Sequence, residues 1–428
     1  MKVVIPIDEL SWVPGANESW FPIQNLPYGR IWGEEIMDSN VIRIGEYVLD
    51  LTKLVDEGLF GDDFETADPA LIAMTLGVEG LAAFRTRIWK MLTKNHNLSE
   101  SDLVKVQGAL TPINDIVIDL PMEVSAFVDF YSGIYHASNV GKMFRPDQPP
   151  LLPNYKHVPI GYNGRASSVM ASNQPVIRPN GQTKGPNDEL PSFGPTKELD
   201  FELEMGFFTH SPTDMGRAVS IEDAEDYILG LCMVNDWSAR DMQRWEYVPL
   251  GPFLAKSFAT SISPWIVPLD ALEYFRCDGM PQEPAPLPYL QQSGKRSYDI
   301  QLDVWLQTAK SKKPQRICQS NSKHLYWSFV QQFVHQSSNG TPIMDGDLYA
   351  SGTISGPEPD QSGSMLELSW RGSKPITIEE TGETRTFLED GDTITMRGWA
   401  EHENFTIGLG EVTGTILSLQ QFDEMYEA

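Results

Sequence analysis

Cysteine is scarce. The 428-residue chain has three, Cys232, Cys277 and Cys318. The number is odd and the spacings match no metal or redox motif, so the thiols read as reduced and the protein as cytoplasmic. Positive charge is also in short supply: 32 Lys and Arg stand against 59 Asp and Glu, a formal net charge of −27. That balance argues against nucleic acid, whose phosphates demand a basic face, and equally against an anionic membrane surface. No apolar run reaches the roughly 18 residues that a transmembrane helix needs. The opening MKVVIPIDELSWVPG puts acids and prolines where a signal peptide needs an unbroken apolar core. There is no P-loop and no Gly-x-Ser-x-Gly elbow, which leaves no phosphate cradle and no obvious serine nucleophile.

What remains is an ordinary globular composition, 41% hydrophobic and 21% charged, in a chain long enough for one large or two ordinary domains. The 31 prolines and 34 glycines suit many short strands and structured loops. Residues 1–120 read as a smaller unit. It has two short strands around Gly45, within Val41 to Leu51, and a helix from about Pro69 to His96. The proline-bracketed run ALTPINDIVIDLPMEV (109–124) marks the junction. Residues 121–428 form the larger unit. Leu199 to Phe208 alternates apolar and acidic residues with the period of a strand. Ser220 is expected to cap a helix through Ile221, Ala224, Ile228 and Leu231. The last third reads as β-rich, with strands at 299–306, in SMLELSW and in TFLEDGDTITMRGW, and one helix at about Lys323 to Gln336. From Gln421 the acidic tail reads as frayed.

The densest polar stretch is NDWSARDMQRWEYVPLGPFLAKSF (235–258). If its first part is helical, each residue turns about 100° and Asp236, Arg240, Gln243 and Tyr247 share one face. Pro249 and Pro252 then end the helix and aim Lys256 from a stiff turn. The plain alternative is a solvated helix face with an Asp–Arg pair. Four carboxylates, Asp129, Glu202, Glu204 and Asp236, could gather a hard cation, because oxygen-only ligands favour Mg²⁺ or Ca²⁺ over zinc. Glu202 and Glu204 would share one strand face, which otherwise is simply wet. His136 alone among seven histidines lies within a few residues of an acid, a tyrosine and an arginine. It could act as a base if a carboxylate such as Glu367 orients it, or be merely structural. Arg240, Gln243 and Lys256 could stabilise an oxyanion, or be surface charge. Thr353 sits in a small-residue loop, ASGTISG, where backbone can approach a carboxylate.

These stretches closely resemble the fumarylacetoacetase (fumarylacetoacetate hydrolase) family. The similar text includes FPIQNLPYG, DFYSGIYHASNVGKMFR, LLPNYKHVPIGYNGRASS, LDFELEMGFF, NDWSARDMQRWEYVPLGPFLAKSF, ISPWIVP, LYASGTISG and SMLELSW, spread over nearly the whole chain. Two departures are Asn163 and Ala255, where the family pattern leads one to expect histidine and glycine.

The resemblance implies a mainly β fold with some α: a small N-terminal SH3-like β-barrel (1–120), then a larger mixed β-roll domain (121–428), assembled as a homodimer. It implies hydrolysis of 4-fumarylacetoacetate, a diketo-diacid, to fumarate and acetoacetate, the last step of tyrosine and phenylalanine breakdown. Carried over residue by residue, it implies metal ligation by Asp129, Glu202, Glu204 and Asp236, with Lys256 and Thr260 at a Mg²⁺ position. An ammonium cannot bind a cation, so Lys256 could contribute only its carbonyl there. His136 becomes the base, Glu367 its orienting acid, and Arg240, Gln243 and Lys256 the oxyanion group. Tyr131, Arg145, Tyr162, Gln243, Tyr247 and Thr353 become substrate contacts. Acylpyruvate hydrolysis or oxaloacetate decarboxylation on the same metal site, or a non-catalytic metal-binding scaffold, are the alternatives.

Overall fold

The computed structural model describes residues 2–32 and 38–427. It is a mixed α/β fold dominated by strands. Near the N-terminus five strands form an antiparallel sheet in the order Leu110–Pro112, Tyr47–Asp50, Ser39–Ile44, Tyr28–Trp32 and Val117–Ile118. Gly45 takes a positive φ of 58° to turn the chain between Ile44 and Tyr47, so the two expected short strands are present. Pro69–Leu92 is the expected long helix. Asp68 caps it by accepting from the amides of Ala70 and Leu71, and Gly77 breaks its regularity.

Two sheets organise the rest. The first has seven strands, ordered Gly161–Asn163, Ala126–Phe130, Asp347–Ala350, Leu203–Thr209, Ile228–Asp236, Thr260–Ile262 and Val169–Ala171. The second runs Gln315–Asn321, Gln301–Gln307, Thr393–Glu401, Thr406–Leu417 and Val176–Ile177. Strand Ile228–Asp236 packs on Thr393–Glu401 and Thr406–Leu417, so the two sheets share a core.

Alternation along the strands decides where the acids point. Val128, Phe130, Leu203, Met205, Phe207, Leu231 and Met233 enter the core between the sheets. Phe127, Phe208, Cys232, Val234 and Ile262 face the other way and join the core built by the N-terminal residues. Asp129, Glu204 and Asp236 have the parity of this second set. All three therefore leave the same face of the sheet, and Glu202, just before its strand, follows the same alternation.

Several expectations are corrected. Asp236 does not share a helix with Arg240, Gln243 and Tyr247: it ends strand Ile228–Asp236, and the helix is Arg240–Glu246. The apolar run before it is buried on both faces, so it lacks the alternation that would have announced a strand. For the same reason the helix expected from Ser220 through Leu231 shrinks to a 3₁₀ turn, Ala224–Tyr227. SMLELSW is no strand: Ser364 caps a short helix, Met365–Leu368, by accepting from the amide of Glu367. The helix expected at 323–336 is Phe329–Ser337, preceded by a 3₁₀ turn at Ser322–His324. The tail beyond Gln421 lies within a helix, Leu419–Glu427.

Candidate active site

At one end of the seven-stranded sheet, a cavity of about 320 Å³ opens between the helix Ile134–Phe144, the loop 351–355 and the segment 240–256. Asp129, Tyr131, His136, Arg145, Tyr162, Glu202, Glu204, Arg240, Gln243, Tyr247, Lys256 and Thr353 line it. Asp236, Thr260 and Glu367 stand directly behind, fully or nearly fully buried. Residues more than 200 positions apart in sequence thus meet, Asp129 with Thr353 and His136 with Glu367 among them.

The four acids Asp129, Glu202, Glu204 and Asp236 converge. One oxygen from each lies within 4.8 Å of the others, and all four side chains are buried. A wet strand face is therefore ruled out for Glu202 and Glu204. Like charges cannot be collected in a dry site without compensation. Lys256 Nζ supplies some, donating to Asp236 Oδ2 at 2.6 Å and to Glu202. Arg240 supplies more, donating from Nη1 to Glu202 Oε1 at 2.8 Å and from Nε to Asp200 Oδ2 at 2.7 Å. Burial alone would raise the Glu202 carboxyl, but Lys256 and Arg240 hold it well below the usual range.

The balance is incomplete. Five buried carboxylates, Asp129, Asp200, Glu202, Glu204 and Asp236, meet three buried cations, Arg165, Arg240 and Lys256. Asp129 Oδ1 and Glu204 Oε1 are buried with no hydrogen-bond partner. Burial and the charge of Asp236 push the Asp129 carboxyl up to about 7, and burial and the neighbouring acids push Glu204 far up. Two missing positive charges and two orphaned carboxylate oxygens fit a divalent cation with hard oxygen ligands.

Across the cavity, His136 lies on the helix Ile134–Phe144. Gly133 precedes that helix because any Cβ there would meet the Thr353 carbonyl oxygen at 2.1 Å, so helix and loop close tightly. His136 Nδ1 and Glu367 Oε2 are 2.5 Å apart. Glu367 also accepts from Asn139 Nδ2, Ser355 Oγ and Ser364 Oγ, each at 2.9 Å. Burial would raise this carboxyl, but the His136 charge and these donors bring it below its ordinary value. Nδ1 is thereby committed, and proton transfer falls to Nε2.

The remaining candidates take distinct positions. Gln243 Oε1 accepts from Arg240 Nη1 at 3.1 Å, which leaves the Gln243 amide NH₂ as a donor. Arg240 Nη2 is buried without a partner. Arg145 sends Nη2 to the Pro150 carbonyl at 3.1 Å, and its Nε is also unpartnered. Burial keeps the Tyr131 phenol raised and hence a neutral donor. The Tyr162 hydroxyl accepts from Arg165 Nη2 at 2.8 Å. Tyr247 is half-exposed at the mouth. Ala255, fully buried, packs with Ala239 and Met242 beneath Lys256.

Two residues escaped the sequence reading. Arg165 bridges Asp129 and Asp236 from the loop after Gly164, and nothing in its local spacing signals that. Asp200 is fully buried and accepts from Phe201 N and Met365 N on Oδ1, and from Arg240 Nε and Leu366 N on Oδ2. It ties Arg240 to the short helix that carries Glu367. Its place in the acidic alternation Asp200, Glu202, Glu204 was the available clue.

Known proteins similar to this chain match it over nearly its whole length. Residues 126–417 match the family model described as fumarylacetoacetate (FAA) hydrolase C-terminal, and residues 24–121 match fumarylacetoacetase N-terminal. The fumarylacetoacetase of Oryza sativa subsp. japonica is 42% identical over 417 residues, covering 95% of this chain and 97% of its own. That of Rattus norvegicus is 42% identical over 415 residues, covering 95% and 99%. The solved fumarylacetoacetate hydrolase of Exiguobacterium antarcticum, at 14% identity, covers 92% of this chain and 99% of its own with a TM-score of 0.50, a likeness of fold alone.

Proposed function

Because the chain belongs to the fumarylacetoacetase family, we propose that its cavity hydrolyses the carbon–carbon bond of 4-fumarylacetoacetate to give fumarate and acetoacetate. One observation carries the reading: a buried His136–Glu367 pair faces a buried four-carboxylate cluster across a cavity of substrate size.

Asp129, Glu202, Glu204 and Asp236 would hold Ca²⁺ or Mg²⁺. A divalent ion there supplies Lewis-acid polarisation of the diketone oxygens and charge for the departing enolate. Whether Lys256, through its carbonyl, and Thr260 serve a Mg²⁺ ion belongs to the same proposal; that carbonyl and Thr260 Oγ1 lie 3.4 and 3.5 Å from Arg165 Nη1. His136 Nε2 takes a proton from water, whose oxygen attacks the carbonyl on the fumaryl side. Glu367 fixes the ring and favours the imidazolium that results. Arg240 Nη2 and the Gln243 amide then hold the tetrahedral oxyanion, with Lys256 beside them, an effect worth about 3–4 kcal/mol per good donor. The bond to the acetoacetyl carbon breaks, and the proton on His136 is delivered to the carbanion. Tyr131, Arg145, Tyr162, Tyr247 and Thr353 bind the dianion, which answers how so acidic a protein accepts an anionic substrate.

The finer architecture belongs to the same reading: an SH3-like barrel in residues 1–120, a β-roll in 121–428, and a cytoplasmic homodimer. The exposed apolar run Val248, Leu250, Phe253 and Leu254 beside the cavity is a face that a second copy would cover. Sedimentation at several protein concentrations tests the dimer. The activity is tested by adding fumarylacetoacetate to the purified chain and following loss of the diketone absorbance, with both products identified. Faster turnover of a small acylpyruvate would overturn the substrate assignment.

A further inference from the structure

The strands that carry Asp129 and Asp236 are not neighbours. Two others, Asp347–Ala350 and Leu203–Thr209, lie between them in the sheet. At regular strand spacing their backbones would stand about 14 Å apart, and their charges repel. Yet a single guanidinium binds both side chains. Arg165 Nη2 donates to Asp129 Oδ2 at 2.7 Å and to Asp236 Oδ2 at 3.2 Å, while Nη1 donates to Asp236 Oδ1.

The rest of Arg165 is fixed to serve that bridge. Its backbone has a φ of 64°, in the left-handed region that non-glycine residues rarely adopt. Its guanidinium lies 4.8 Å from the centre of the Phe127 ring and 5.1 Å from that of Tyr162, and Nη2 also donates to the Tyr162 hydroxyl. The side chain is only 5% exposed. With Asp129 Oδ2 engaged in this way, Oδ1 is left unpartnered beside the equally unpartnered Glu204 Oε1.

We propose that Arg165 is a positioning residue of the metal centre, a permanent internal cation that holds Asp129 and Asp236 at ligand spacing and leaves Asp129 Oδ1 free to face a divalent ion. The proposal rests on the metal reading of the four acids. It makes a prediction opposite in sign to simple electrostatics. A cation beside a metal repels it, so if Arg165 only competed for the acids, removing it would tighten metal binding. If Arg165 positions the ligands, removing it weakens binding, as loss of a partner to a metal ligand does, by about 10–100-fold. Lysine keeps the charge but lacks the planar fork that spans two carboxylates.

The test is calorimetric titration of CaCl₂ into the chelator-stripped full-length protein, comparing wild type with Arg165→Met and Arg165→Lys. The expected result is binding at least tenfold weaker in Arg165→Met and weaker than wild type in Arg165→Lys. With calcium raised to saturation, kcat in both variants should return toward the wild-type value, because the residue acts through the ligands and not on substrate. Circular dichroism monitors folding, and if Arg165→Met does not fold, Arg165→Lys alone decides. Calcium binding that is unchanged or tighter in the folded variants overturns the proposal. If wild type takes up neither calcium nor, in a parallel titration, magnesium, the metal reading falls and the proposal with it; if wild type binds either ion, only the variant comparison with that ion decides.

Discussion

Replacing Asp200 by asparagine tests how the site is braced. Oδ1 accepts from the amides of Phe201 and Met365 at 2.8 and 2.6 Å, and Oδ2 from Arg240 Nε and the Leu366 amide at 2.7 and 3.0 Å. Each oxygen thus faces two donors. In either flip, the NH₂ of asparagine must point at two N–H groups in a fully buried site. Breaking a buried ion pair from one side costs about 3–5 kcal/mol, and at this chain length that lowers the melting temperature by roughly 3–6 °C. One flip leaves Arg240 Nε and the Leu366 amide unpaired and the other leaves the Phe201 and Met365 amides unpaired, so the helix carrying Glu367 loses one of its two anchors either way. A displaced oxyanion donor costs about 10²–10³ in kcat, so Asp200→Asn should lose activity to that extent at temperatures where it remains folded. Thermal melting by circular dichroism and initial rates on fumarylacetoacetate measure the two effects. A variant that melts early but keeps wild-type kcat would refute the coupling between Asp200 and the catalytic groups.

Three further perturbations have definite outcomes. His136→Ala should lower kcat by about 10²–10⁴ with metal content near normal, and comparable activity would refute its assignment as the base. Gly352→Ala should be destabilised by about 3 kcal/mol or more in urea unfolding, because φ is +76° and a Cβ would meet the Phe130 carbonyl oxygen at 2.2 Å; the same shift should disturb the Gly352 amide, which donates to Glu204 Oε2 at 3.0 Å. Burial lowers His210 to about 4 from 6.5, so between those values the unfolded chain binds the extra proton and stability rises with pH. Its contribution is complete above pH 6.5 and about 3 kcal/mol of it is lost as pH falls to 4. His210→Phe should flatten that acid slope in urea titrations, and an unchanged slope would refute the assignment.

Much of this site could be read in the sequence, but for uneven reasons. The strand bearing Glu204 announced itself by alternation, with apolar Leu203 and Met205 on one side, and the Gly45 turn by its glycine. The long helix at Pro69–Leu92 was equally legible from its apolar positions. Asp236 was harder, because the run before it is apolar on both faces and strand and helix then look alike. Glu367 was identified while its element was not: four helical residues after Ser364 are too few to show a period. Arg165 lay beyond sequence reasoning because its role depends on two strands that meet only through the order of the sheet.

The central claim is that a divalent ion on Asp129, Glu202, Glu204 and Asp236 is required for hydrolysis of fumarylacetoacetate. The direct measurement is the rate of loss of diketone absorbance by the full chain before chelation, after chelator is added and removed, and after Ca²⁺ or Mg²⁺ is returned. The account predicts activity that disappears on stripping and returns with one of the two ions. Equal rates in the stripped and reloaded protein would contradict it.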